Sequence, residues 1–237
     1  MWNKKEFSML KIKTFTFNLF EERTLLMWDD ENKEAVVVDP GCCSDFEYDA
    51  LMKIVTLERL SLKAIWLTHG HLDHIYGVSR LVREFGLPVM MHPYDVNTLA
   101  WNQTMAERFG MEAPVLGFGT MDILNGDVLS FGNVKFMVYE TPGHTPGSVC
   151  FYDEADKVLL SGDTLFAGSI GRTDFPGGDY DKLIVSLMDG IMGLDGDVDV
   201  IPGHGGTTNI SHERTHNPFL QPFNEPEENM PEGGFLS

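Results

Sequence analysis

The stretch Thr68-His69-Gly70-His71-Leu72-Asp73-His74 packs three imidazoles and a carboxylate into six positions, and few chains have a structural use for that. Before it, Lys63-Ala64-Ile65-Trp66-Leu67 is a short apolar run that reads as a buried strand. After it, Val78, Leu81, Val82 and Phe85 recur at helical spacing, and Gly86 sits where a helix would stop. The cluster therefore belongs on a strand-to-helix turn. In an extended chain residues two apart share a side, which places His69, His71 and Asp73 together. Gly70 and Leu72 then face away, and His74 enters from the start of the helix. Nitrogen and oxygen donors converging in so short a span point to metal binding; solvated surface histidines are the alternative.

A length of 237 residues suffices for one α/β domain. A single domain is expected over residues 1–223, followed by an acidic, loosely ordered tail over 224–237. No apolar run approaches the roughly 20 residues of a membrane-spanning helix. The start, Met1-Trp2-Asn3-Lys4-Lys5, has no apolar core of a signal peptide behind it, and the three cysteines lack C-x-x-C spacing. A reducing, cytoplasmic setting is expected. The formal charge of -19 comes from 36 acids against 17 bases with no basic run, which argues against a nucleic-acid partner. The same field slows an anionic small molecule unless a local cation offsets it.

Taken in order, residues 9–39 read as a β-meander with strands over Lys11–Phe17, Thr24–Trp28 and Glu34–Asp39. Ser44 and Glu47 form a capping box, and Phe46, Leu51, Ile54 and Val55 give the following helix a buried stripe. Another strand is expected at Pro88–Met91. In residues 94–121, Val96, Leu99, Ala106 and Phe109 suggest one helix, and Met111–Thr120 an apolar loop that either lines an acyl pocket or covers the core. Four strands follow between Asp127 and Ser161. A helix over Tyr180–Met192, a strand over Val198–Ile201 and a short helix over Asn209–Thr215 complete the pattern, which alternates as layered α/β folds do.

Three further apolar strands run into Gly-containing turns that each deliver one donor: His144 after Thr141-Pro142-Gly143, Asp163 after Ser161-Gly162, and His204 after Pro202-Gly203. Each read alone is as readily a turn residue or cap as a ligand. Together with the opening cluster, they put five of the eight histidines at strand ends, where sites in layered α/β proteins gather. His92, His212 and His216 read as surface or supporting residues.

This pattern resembles the metallo-β-lactamase superfamily over residues 12–218. The resemblance implies a four-layer αβ/βα sandwich, two mixed β-sheets flanked by helices with metals at one edge. It implies two divalent metal ions, with Zn expected and Fe or Mn possible on a thiolate-free donor set. His69, His71 and His144 would bind one, Asp73, His74 and His204 the second, and Asp163 would bridge them. Two such ions about 3.5–4 Å apart share a water and lower its pKa towards 7, and the hydroxide attacks a carbonyl. Asp73 and Asp163 are thereby the catalytic carboxylates, Asp73 orienting the hydroxide.

The run Gly162-Asp163-Thr164-Leu165-Phe166-Ala167-Gly168-Ser169-Ile170-Gly171-Arg172-Thr173-Asp174-Phe175 looks like the glyoxalase II group, and Pro202-Gly203-His204-Gly205 like its short bacterial relatives. Metallo-β-lactamases proper do not use an aspartate at the position of Asp163. The resemblance thus implies a thioester hydrolase acting on a small molecule, with glutathione as a candidate carrier and a thiolate leaving group that needs little protonation. Arg172 is the expected substrate-binding cation, or else it pairs with Asp174 or Asp179 to fix its loop. With 33 residues after His204, no counterpart is expected for the helical region that completes the glutathione site of full-length glyoxalase II. Persulfide dioxygenases, which use one Fe(II) on residues equivalent to His69, His144 and Asp163, share the Gly171–Asp174 segment, and lactonases share the whole donor set. A metal-binding protein without turnover is the remaining alternative.

Overall fold

The computed structural model describes residues 9–221, and the tail expected over 224–237 lies outside them. Its first strands, β1 (Leu10–Phe17), β2 (Glu22–Asp29) and β3 (Glu34–Val38), pair antiparallel as the expected meander. Helix α1 (Asp45–Leu57) starts on Ser44 with both arms of the capping box to Glu47 present. It carries the chain to β4 (Ser61–Trp66), parallel to β3. Helix α2 (Val78–Phe85) stops at Gly86, whose φ of 66° suits glycine. Strand β5 (Val89–Met91), helix α3 (Val96–Phe109) and the two-residue β6 (Met121–Asp122) complete a sheet in the order β1-β2-β3-β4-β5-β6.

The second half begins with β7 (Val128–Phe131), β8 (Val134–Glu140), β9 (Val149–Asp153) and β10 (Val158–Gly162). A small hairpin, β11 (Leu165–Phe166) and β12 (Ser169–Ile170), precedes helix α4 (Tyr180–Val185). Strands β13 (Asp199–Pro202) and β14 (Thr208–Asn209) and helix α5 (Ile210–His216) follow. The sheet order is β14-β13-β10-β9-β8-β7, with β10 and β13 parallel and their neighbours antiparallel.

Strand alternation sorts the apolar residues into three cores between four layers. Leu26, Ala35, Val37, Ile65 and Leu67 face outward against Tyr48, Leu51 and Val55 of α1 and Val78 and Leu81 of α2. Their neighbours in sequence, Leu25, Met27, Val36, Val38 and Trp66, face inward and meet Val134, Phe136, Val138, Phe151 and Leu160 of the second sheet. On that sheet's far side Cys150, Tyr152, Leu159 and Val200 pack under Leu183, Leu187 and Ile210. The expected four-layer αβ/βα sandwich of two mixed sheets is what forms. No helix among the described residues is long and apolar enough to cross a membrane.

Trp66 is the pivot of the middle layer, with ring centroids 5.7, 5.7 and 5.4 Å from those of Phe131, Phe136 and Phe151. Trp66→Ala should therefore lower unfolding stability by about 3–5 kcal/mol, read from the urea midpoint of the folded protein.

Local expectations differ from the structure in a few places. Phe46 is 85% exposed, because it lies in the first turn beside the cap; the α1 stripe is Tyr48, Leu51 and Val55. The helix expected over Tyr180–Met192 is α-helical only to Val185, then widens into a π-helical turn over Ser186–Ile191. Helix α3 forms, but it buries Thr98, Asn102, Met105 and Ala106 and leaves Val96 and Phe109 half exposed. Its buried face is half polar because Asn102 donates to the Gly70 carbonyl and Thr98 to Asp95, while Met105 and Ala106 pack on Leu72.

Candidate metal centre

All the candidate donors lie along one edge of the sandwich, just past the ends of β4, β8, β10 and β13. The parallel pairing of β10 with β13 sets Gly162 beside Pro202, so Asp163 and His204 leave adjacent strands on the same side. The Gly203 amide donates to the Gly162 carbonyl at 2.8 Å within the second sheet, and the Val149 amide donates to the Thr68 carbonyl at 2.8 Å, tying the two sheets at this edge. Gly162 has a φ of +48°, and a Cβ there would stand 2.5 Å from Thr68 Oγ1. The close approach of the two strand ends depends on that missing side chain.

The coil after β4 does not continue as a strand. Leu72–His74 is a single 3-10 turn, and α2 begins only at Val78. Strand alternation therefore fails at Leu72: His69 and His71 group with His144, while Asp73 turns away to group with His74 and His204. A third group, His69, His74 and Asp163, overlaps both. In each, one donor atom per residue lies within 4.8 Å of the others. His71 Nδ1 approaches His144 Nε2 to 2.9 Å, and His74 Nε2 approaches His204 Nε2 to 3.3 Å. The Asp163 carboxylate stands between, with Oδ2 3.5 Å from His144 Nε2 and Oδ1 3.5 Å from His74 Nε2.

The far side of the rings is held by the protein. Asp39 Oδ2 lies 3.1 Å from His74 Nδ1, and the same carboxylate accepts from the Thr68 amide at 2.8 Å and the Thr68 hydroxyl at 2.6 Å. His144 Nδ1 donates to the Arg172 carbonyl at 2.8 Å and His204 Nδ1 to the Phe20 carbonyl at 2.9 Å. These bonds leave Nε2 of all three rings facing the donor cluster, the arrangement by which supporting partners orient metal-binding imidazoles.

The electrostatics divide the site. Burial, with neighbouring histidines, pushes the pKa of His69 and His71 well below the usual imidazole range and keeps them neutral. Burial works against charge on His74 too, but Asp73, Asp163 and Asp39 outweigh it and raise its pKa. Burial likewise disfavours ionised Asp73, yet His74 and His204 hold its carboxyl well below the usual range. Two buried atoms of the cluster, His69 Nε2 and Asp163 Oδ1, have no hydrogen-bond partner. The neutral His69 and His71 rings, the ionised Asp73 carboxylate and the orphaned His69 Nε2 and Asp163 Oδ1 fit divalent cations bound by nitrogen and oxygen.

A model of the metallo-beta-lactamase superfamily matches residues 23–207. The chain belongs to that superfamily. It is a metallo-hydrolase superfamily enzyme with a divalent metal site. The hydroxyacylglutathione hydrolase GloC of Haemophilus influenzae is 36% identical over 217 residues, which are 89% of this chain and 98% of that protein. The crystal structure of TTHA1623 in a di-iron-bound form superposes with a TM-score of 0.79 at 35% identity, covering 88% of this chain and 100% of that one. The BLEG-1 B3 metallo-beta-lactamase gives the same TM-score of 0.79 and 35% identity over 89% of this chain and 99% of its own.

Arg172 is pinned within its loop. Its Nε and Nη2 each donate to Asp174 at 2.7 Å, and its guanidinium lies 3.8 Å from the centre of the Phe175 ring. His92 is buried 3.1 Å from Glu140, away from the donor cluster, and His212 and His216 lie exposed on α5. Sequence reading missed Asp39 and the buried Asp95. Asp39 does end a strand before Pro40-Gly41, the same design as the donors; Asp95 carries no such signal.

The supporting glycines make a direct test. A Cβ on Gly203 would stand 2.4 Å from Asp163 Oδ1 and 2.8 Å from His74 Cε1. Gly203→Ala should displace that carboxylate and lower metal affinity about tenfold or more, measured by competition with a chromophoric chelator.

Proposed function

We propose that the protein is a dinuclear metal-dependent hydrolase of thioesters. The observation that carries the reading is the position of Asp163, whose two oxygens reach towards both histidine groups. His69, His71 and His144 would hold one ion, Asp73, His74 and His204 the other, and Asp163 would bridge them; Zn is the expected metal. When bound, such a pair supplies a Lewis acid for the carbonyl oxygen and a water acidified to near neutrality. Asp73, held ionised by His74 and His204, keeps one oxygen 3.2 Å from His204 Nε2 and can accept a hydrogen bond from the attacking hydroxide with the other, which orients it. Asp39 and the carbonyls of Arg172 and Phe20 keep the rings from turning. A thiolate leaves without a proton donor, so the site needs no general acid for this bond.

The thioester class is supported by the GloC relative, whose name describes hydrolysis of hydroxyacylglutathione. Protein loaded with about two metals per chain is expected to cleave S-lactoylglutathione or a related acyl thioester, followed by loss of thioester absorbance. Inertness of a fully loaded sample across a thioester panel overturns the reading. Cleavage of a cephalosporin in its place would assign the activity to the class of the BLEG-1 relative.

A further inference from the structure

The donor cluster has an apolar wall that the hydrolytic reading leaves unused. Leu72, between His71 and Asp73, is buried with Met105 and Ala106 of α3, and the partly exposed Phe20, Met111 and Phe175 pack against that trio. Phe175 presents its ring to His71 at 5.9 Å between centroids, nearly perpendicular at 88°. At the other end, Phe20 contributes the carbonyl that orients His204 and stacks edge-on with Phe109 at 5.2 Å. Phe109 is 45% exposed at the end of its helix. Leu72, Met105 and Ala106 are the closed base of this wall, and its accessible part is the partly exposed Phe175 beside one histidine group and Phe20, with Phe109, beside the other.

Its charge environment points the same way. Arg172, beside Phe175, donates from Nε and Nη2 to Asp174 and lays its plane on the Phe175 ring. Its charge is thereby balanced at the rim, within a chain of net charge -19. Partly exposed aromatic surface flanking a polar centre gains most from an apolar group that covers it.

We infer that this wall is the acyl-binding surface, and that the enzyme selects thioesters whose acyl group is apolar and larger than lactoyl, such as a medium-chain aliphatic or an aryl-acyl group. The inference rests on the thioester reading and specifies its substrate. Lactoyl, with three carbons and a hydroxyl, would leave most of the wall uncovered.

The test holds the thiol constant and varies the acyl group: S-acetyl-, S-lactoyl-, S-hexanoyl- and S-phenylacetylglutathione with the metal-loaded protein. Specificity, as kcat/KM, should rise at least about tenfold from acetyl to hexanoyl, given the transfer value of each buried methylene. In parallel, the non-cleavable S-hexylglutathione should bind at least about tenfold more tightly than S-methylglutathione by calorimetry. Phe109→Ser, which removes a 45% exposed ring, should keep the far-ultraviolet circular dichroism of the parent and lower the hexanoyl-to-acetyl ratio about threefold or more. Even rates and even binding across the series, or a preference for lactoyl, overturn this inference and leave the hydrolase intact. Inertness towards every thioester overturns both.

Discussion

Asp163→Ala is expected to leave a folded protein that binds one metal in place of the proposed two and has lost about a thousandfold or more of its hydrolytic turnover. Two divalent ions held close together repel each other, and of the seven candidate donors only Asp73 and Asp163 bring negative charge to offset this. Asp163 also reaches both histidine groups, so no other donor can replace it in both roles. The fold should survive for a separate reason. The carboxylate serves no backbone amide at this turn, and one of its oxygens is buried without a hydrogen-bond partner. Alanine removes a poorly solvated charge and leaves the turn after β10 in place. Elemental analysis and far-ultraviolet circular dichroism on the same preparation separate the outcomes. Two metals per chain in the variant would refute the bridging role.

The legibility of this site in the sequence has a physical limit. His69, His71, Asp73 and His74 are recognisable because donor type and spacing are local properties. His144, Asp163 and His204 share an apolar strand and a glycine turn, and that repeated design shows where strand ends meet. The grouping was less readable from spacing. Extended geometry puts Asp73 with His69, and the 3-10 turn at Leu72 puts it with His204. That turn depends on Asn18, 55 residues away, whose amide bonds the Asp73 carbonyl at 2.9 Å. The two-residue strands β6, β11, β12 and β14 are too short to carry any periodicity. Asp39 and Asp95 act on residues 29 and 25 positions away, a distance at which side-chain partners leave no pattern in one sequence. The four-layer sandwich came from the resemblance to the superfamily; the alternation of strands and helices by itself pointed only to a layered α/β fold.

Asp95 supplies the second large effect. It is fully buried, and burial raises its pKa against the hydrogen bonds it accepts. Oδ2 receives the Gly70 amide at 2.7 Å and the Thr145 hydroxyl at 2.9 Å; Oδ1 receives the Gly147 amide at 2.7 Å. Asn102 completes the clasp by donating to the Gly70 carbonyl at 2.8 Å. Gly70 lies between His69 and His71, and Thr145 follows His144, so one carboxylate ties together the two segments that carry one whole donor group. In Asp95→Asn the side chain keeps its shape, but its NH2 must face either the Gly70 or the Gly147 amide. One backbone donor loses its acceptor, at about 1–3 kcal/mol of stability. The two segments then separate, and affinity at the His69, His71 and His144 group should fall about 10–100-fold. The group of Asp73, His74 and His204, which Asp95 does not touch, should keep its affinity. Titration of the metal-free variant with Co(II), followed by its visible absorption, resolves one step from the other. A merely structural role for Asp95 would weaken both steps alike or neither, whereas loss confined to one step assigns the clasp to the three-histidine group.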